Sequence, residues 1–298
     1  MMNGYSDFPI IQQTFQEAAD ILKQDFWSLV NSGTPEDINS TVNTQPLMLI
    51  AGVAVYRAWI NSGGQQPALL AGHSLGEYTA LVASDALSFA DALKLVRFRA
   101  QAMQQAIPDG VGGMAAILGL EDNVVDSICR EVTNASSGES LEAANFNSPG
   151  QIVIAGHKNA ILRGIELAKA KGAKRALMLP MSIPSHCSLM KPAADRMRQQ
   201  LESIPLQAPR IPILHNVDVT SHPDAAALKE ILVQQLVSPV RWVATIQAFA
   251  ASGITHVIEC GPGKVLMGLD KRIDPNLHHL SLADSEAIKQ AIGNLTAQ

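Results

Sequence analysis

Phe8, Ile11, Phe15, Ala18, Ala19 and Leu22 recur at spacings of three and four, so the chain opens with an amphipathic helix. A polar, turn-rich segment over 31–44 follows. From Pro46 to Ile60 the residues are apolar on nearly every side, which predicts a helix buried all round, ended by Asn61-Ser62-Gly63-Gly64. A short apolar stretch over 67–71 then leads through Gly72-His73-Ser74-Leu75-Gly76 into a helical pattern over 77–83, which reads as strand, sharp turn, helix. A further helix is predicted over 89–106, broken by Pro108-Asp109-Gly110.

The rhythm changes after this break. Strand patterns over 113–118, 142–146, 151–155 and 175–179 alternate with helical patterns over 122–132 and 158–171, and Ser148-Pro149-Gly150 supplies a turn between the middle strands. The order βαββαβ is that of a ferredoxin-like unit, placed at 108–181. Beyond it α/β alternation resumes, with strands at 213–217 and 256–260 and helices near 191–203, 225–236 and 241–252, completing the sheet begun before the insertion. The expected organisation is an α/β fold: a discontinuous large domain over 1–107 and 182–298, with a small domain inserted. The tail around His278 and His279 reads as polar.

Composition narrows the function. Of the 298 residues, 47% are hydrophobic and 16% charged, the balance of a compact globular protein. A net charge of −5 argues against a nucleic acid or anionic membrane as partner. Cys129, Cys187 and Cys260 show no paired spacing, so neither a disulfide framework nor a metal site is expected. The longest apolar run is too short to cross a bilayer and no signal peptide opens the chain, so a cytoplasmic monomer is expected.

Gly72-His73-Ser74-Leu75-Gly76 matches the GxSxG elbow, whose glycines permit a strained turn that projects a serine at the start of a helix. The bare pattern arises by chance about one time in ten in a chain this long; the strand before it and the helix after it supply the context the motif needs. Serine is a weak nucleophile unless a base takes its proton. Among eight histidines, His186 lies in a loop where the small domain rejoins the large one, with His215 as its rival. On the 89–106 helix, Phe89, Leu93, Val96, Ala100, Met103 and Ile107 form the core stripe, and Arg99 is the charge that falls on the apolar arc. It is an internal ion pair, a snorkelling stem or a guanidinium fork for a substrate carboxylate.

Four blocks, Gly72-His73-Ser74-Leu75-Gly76-Glu77, Asn145-Phe146-Asn147-Ser148-Pro149-Gly150-Gln151, Pro184-Ser185-His186 and Gly261-Pro262-Gly263-Lys264, together resemble the bacterial malonyl-CoA:acyl-carrier-protein transacylases of fatty-acid synthesis. The resemblance spans almost the whole chain. It implies an α/β-hydrolase-like large domain with a ferredoxin-like insertion, and malonyl-CoA and acyl carrier protein as partners, with no cofactor or metal. It also implies Ser74 as nucleophile, His186 as base, the Gln235 main-chain carbonyl orienting His186, and Leu75 N–H as an oxyanion donor. Arg99, Met103, Asn145 and Asn147 are the expected substrate-binding residues. Lys171, Lys174 and Arg175 are candidates for carrier docking. The family's opening strand and Gly-Gln-Gly-x-Ser-Gln loop are absent from this sequence, so an N-terminally truncated chain is expected. The competing readings are a serine esterase or thioesterase with Asp218 or Asp284 as its acid, and an inactive truncated homologue.

Overall fold

The computed structural model describes residues 2–136 and 138–296. Its strands are β1 (Leu70–Ala71), β2 (Gly112–Leu118), β3 (Leu141–Ser148), β4 (Gln151–His157), β5 (Arg175–Met178), β6 (Ile213–Leu214), β7 (His256–Glu259) and β8 (His278–Ser281). They form a mixed α/β architecture with parallel and antiparallel sheets. β2 to β5 make one antiparallel sheet in the order β3-β4-β2-β5, and β1-β6 and β7-β8 are separate parallel pairs.

The helix Thr41–Asn61 runs through the main core, and Leu47, Leu49, Ile50, Ala51, Val55 and Ala58 on it are fully buried. It packs on the first helix, Pro9–Leu22, and on Phe89–Gln104. Gly52 lets it approach the helix Gly76–Ala83: a Cβ there would sit 2.8 Å from Thr79 Cγ2. The antiparallel sheet carries a core of its own, in which Ile117, Ile152 and Ile154 meet Val125, Ile128, Ile161 and Ile165 from helices Asp122–Asn134 and Lys158–Ala170.

Three expectations need correction. The segment over 31–44 is helical in part, because Asp25 caps Phe26–Ser32 and Thr34 with Asp37 closes a capping box on Pro35–Asn39. The tail around His278 is a strand: β8 pairs with β7 in parallel, and the His278 ring stacks on His256 at 4.6 Å. Polar residues hide such a strand from a hydrophobicity pattern. Finally, the segment at 256–260 pairs with β8 rather than joining β1 and β6; Leu69, Ala71 and Leu214 meet Val257 through an apolar cluster instead. Among the described residues no helix is long and apolar enough to cross a membrane.

Candidate active site

β1 delivers the chain to Gly72, where it folds back on the start of the next helix. A Cβ on Gly72 would lie 1.9 Å from the Gly76 carbonyl carbon, so glycine is obligatory there, whereas a Cβ on Gly76 meets open space. Ser74 sits at the apex with φ of 50°, in the left-handed region that a residue with a Cβ rarely adopts. Asn216, just beyond β6, holds this backbone in place: its Oδ1 accepts from Ser74 N–H at 2.7 Å and its Nδ2 donates to the Gly72 carbonyl at 2.7 Å. The Leu75 N–H next to Ser74 has no hydrogen-bond acceptor among the described residues and stands at the N-terminal end of the helix. Such a donor suits a developing negative charge.

His186 meets this serine from a loop, itself at φ of 62°. Its Nε2 lies 2.8 Å from Ser74 Oγ, and its Nδ1 lies 2.9 Å from the Gln235 carbonyl oxygen. A carbonyl only accepts, so Nδ1 carries the proton and Nε2 is free to take the serine's. Burial, and then the nearby Arg99 charge, push the His186 pKa down to about 3. The imidazole is therefore a neutral base throughout the physiological range. His215, its rival, is bonded to Glu77, which excludes it from the serine's proton.

Arg99 projects from the middle of Phe89–Gln104 and is 1% exposed. Its Nη1 donates to Gln45 Oε1 at 2.8 Å, and its Nη2 to Gln235 Oε1 at 3.1 Å and Ser74 Oγ at 3.3 Å. Nε has no partner among the described residues, and the guanidinium lies 5.5 Å from the Tyr78 ring centroid. No carboxylate forms an ion pair with Arg99 among the described residues. Burial pulls its pKa down, but guanidinium stays protonated.

Met103, one turn further along that helix, receives Gln45 Nε2 on its sulfur at 3.5 Å. Asn147 Oδ1, on β3, accepts from His73 Nε2 at 2.8 Å. Asn145 is buried on β3 where that strand bridges Val240. Its side chain makes no hydrogen bond to Ser74, His186 or Arg99 among the described residues. Sequence reasoning overlooked Gln45, Glu77, Asn216 and the side chain of Gln235. One signal existed: Glu77 is a lone acid among the apolar residues that follow the elbow.

The acyl transferase domain family matches residues 2–274. The malonyl CoA-acyl carrier protein transacylase of Salmonella typhimurium is 48% identical over 96% of this chain and 92% of its own length. The solved acyl-carrier-protein S-malonyltransferase of Burkholderia pseudomallei is 53% identical over 98% of this chain and 94% of that one, with a TM-score of 0.95. A malonyl-transacylase solved in complex with a type II polyketide-synthase acyl carrier protein is 46% identical over 97% of this chain and 93% of that one, with a TM-score of 0.95. The expected N-terminal truncation finds no support in these matches, which run over 92% to 94% of the relatives' length. A serine–histidine pair, its histidine buried, beside an arginine that forms no ion pair among the described residues thus stands on a scaffold that these enzymes share. The chain belongs to the malonyl-CoA:acyl-carrier-protein transacylases.

Proposed function

We propose that Ser74, His186 and Arg99 carry out the family's reaction, transfer of malonyl from coenzyme A to the phosphopantetheine thiol of an acyl carrier protein in fatty-acid synthesis. As Ser74 Oγ attacks the thioester carbonyl, its proton passes to His186 Nε2. The tetrahedral oxyanion lies against Leu75 N–H. Its collapse expels the coenzyme A thiol, which takes that proton back, and leaves a malonyl-serine ester. The carrier's thiol then gives its proton to His186 and attacks the ester, and Ser74 leaves with the proton.

One observation carries the choice of acyl group: Arg99 is a fully buried cation that forms no ion pair with a carboxylate among the described residues. An unpaired buried charge is costly, and an acyl group with a free carboxylate supplies the missing partner. Met103 acts on this subsite through Gln45, and Asn147 acts on the elbow through His73. A neutral carbonyl on His186 suits the same anion, because the partner that orients the base adds no negative charge beside the malonate. An esterase triad fits less well. Asp218 is held by His222 at 2.7 Å and Asp284 caps the last helix, so neither reaches His186.

We read the large part, 1–107 with 182–298, as α/β-hydrolase-like on the strength of its strand–turn–helix elbow, and 108–181 as ferredoxin-like on its strand order. Lys174 and Arg175 are exposed at the edge strand β5 and are available to an acidic carrier, while Lys171 is engaged with Glu131 at 3.2 Å. The test is transfer from malonyl-CoA to holo acyl carrier protein, with acetyl-CoA alongside. Malonyl should move much faster, and equal rates would contradict the reading.

A further inference from the structure

Glu77 lies three residues after the nucleophile, in the first turn of its helix, and is 0% exposed. Among the described residues no lysine or arginine pairs with it. A buried carboxylate in such a place is expensive and is kept only where other groups need its oxygens. Three do. Oε1 accepts from His215 Nδ1, and Oε2 accepts from Asn216 N–H at 3.2 Å and Gln235 Nε2 at 2.8 Å.

The Gln235 contact has consequences beyond the helix. Gln235 Nε2 donates to Glu77 and, at 2.9 Å, to the Ser74 carbonyl, and both of these groups only accept. The amide therefore has one allowed orientation. Turned over, it would set its oxygen against two acceptors and its NH2 against the Arg99 guanidinium. In the allowed orientation Oε1 faces Arg99 Nη2. Through Asn216 the same carboxylate steadies the residue that clamps Gly72 and Ser74. His215 gives Nδ1–H to Glu77 and leaves its buried Nε2 without a hydrogen-bond partner among the described residues.

We propose that Glu77 is a positioning residue for acyl selection: its carboxylate fixes the Gln235 side-chain amide and thereby aims the Arg99 guanidinium at the substrate carboxylate while holding the serine turn. This rests on the malonyl-transfer reading. The test is a double-mutant cycle of Glu77→Gln and Gln235→Ala, the latter keeping the main-chain carbonyl that serves His186. It is read as kcat/KM for malonyl-CoA and acetyl-CoA, with Tm for each variant. Glu77→Gln offers one oxygen to three donors and should lower malonyl kcat/KM about ten- to hundredfold, acetyl less. In the Gln235→Ala background the same substitution should change the malonyl-to-acetyl ratio of kcat/KM by at most about threefold, because its link to Arg99 is gone. Equal losses in both backgrounds, equal losses for both acyl groups, or a lower Tm with unchanged kcat/KM would overturn the proposal. Should Glu77→Gln fail to fold, Glu77→Asp passes through the same cycle with the same deciding outcomes. A wild-type chain that moves no malonyl overturns the function as well; one that does, with additive losses, overturns this inference alone.

Discussion

Ser74 and His186 stand on left-handed backbone, at φ of 50° and 62°, whereas Arg99 stands in the middle of a regular 16-residue helix. The first arrangement places reacting atoms through strain. Each residue occupies a conformation that its surroundings must impose, and together they bring Oγ and Nε2 to 2.8 Å. The second places a recognition group through the helix's own repeat, and leaves its final aim to Gln45 and Gln235. On the proposed mechanism, chemistry and selection are thus mounted on different kinds of backbone. Damage to the first should stop acylation of any substrate, and damage to the second should change which substrate is taken.

The sharpest way to break the comparison is at the nucleophile. Ser74→Ala should abolish the acyl-enzyme for malonyl and acetyl alike, a loss of roughly 10⁴-fold or more in transfer. Intact-protein mass spectrometry after mixing with either thioester checks this, and a surviving adduct would place the nucleophile elsewhere. His186→Ala should slow acylation by about 10² to 10⁴, again for both acyl groups, since it removes the proton acceptor. Rapid-quench rates of ester formation measure it.

Arg99→Ala should behave differently. Two charged hydrogen bonds to the malonate carboxylate are lost, and each contributes about 1.5 to 3 kcal/mol. Malonyl kcat/KM should fall about tenfold to a thousandfold, while acetyl stays within about threefold of its starting value. Equal losses would make Arg99 a structural cation and collapse the distinction between the two regions.

The smallest effect is on pH dependence. An imidazole held near 3 stays deprotonated well below its ordinary value of 6.5, so malonyl kcat/KM should not lose activity as pH falls through 6.5. Bound malonate offsets the Arg99 charge, which is the second cause of the shift, so the His186 pKa rises in the complex. The acid limb of kcat should accordingly lie at higher pH than that of kcat/KM. Coincident limbs would mean that Arg99 and the substrate carboxylate do not meet.

The same comparison explains what the sequence made legible. Arg99 was visible because helical periodicity makes a charge on an apolar arc conspicuous, and Ser74 because a steric requirement at Gly72 leaves a glycine in the chain. The elements of the antiparallel sheet were readable because strands such as β2 and β4 are largely buried, mainly apolar runs; β2, for instance, starts at Gly112 and was expected from 113. His186 has no such signature. Its loop is shaped by distant partners, and family resemblance was needed to single it out. The network behind the site was hidden altogether, for Gln235 reaches the Ser74 carbonyl across 161 residues and Asn216 reaches Ser74 across 142. Such contacts depend on β1 pairing with β6; the sequence marked both strands, within 67–71 and 213–217, but not the side chains that their pairing brings together.

The most direct test of the account is to map the covalent intermediate. The wild-type chain and Arg99→Ala are mixed with malonyl-CoA and with acetyl-CoA, without carrier, then digested and sequenced by mass spectrometry. The account predicts a malonyl ester on the Ser74 peptide of the wild-type chain, formed far faster than the acetyl ester, with that preference lost in Arg99→Ala. A malonyl ester on another residue, or an undiminished preference in Arg99→Ala, would contradict it.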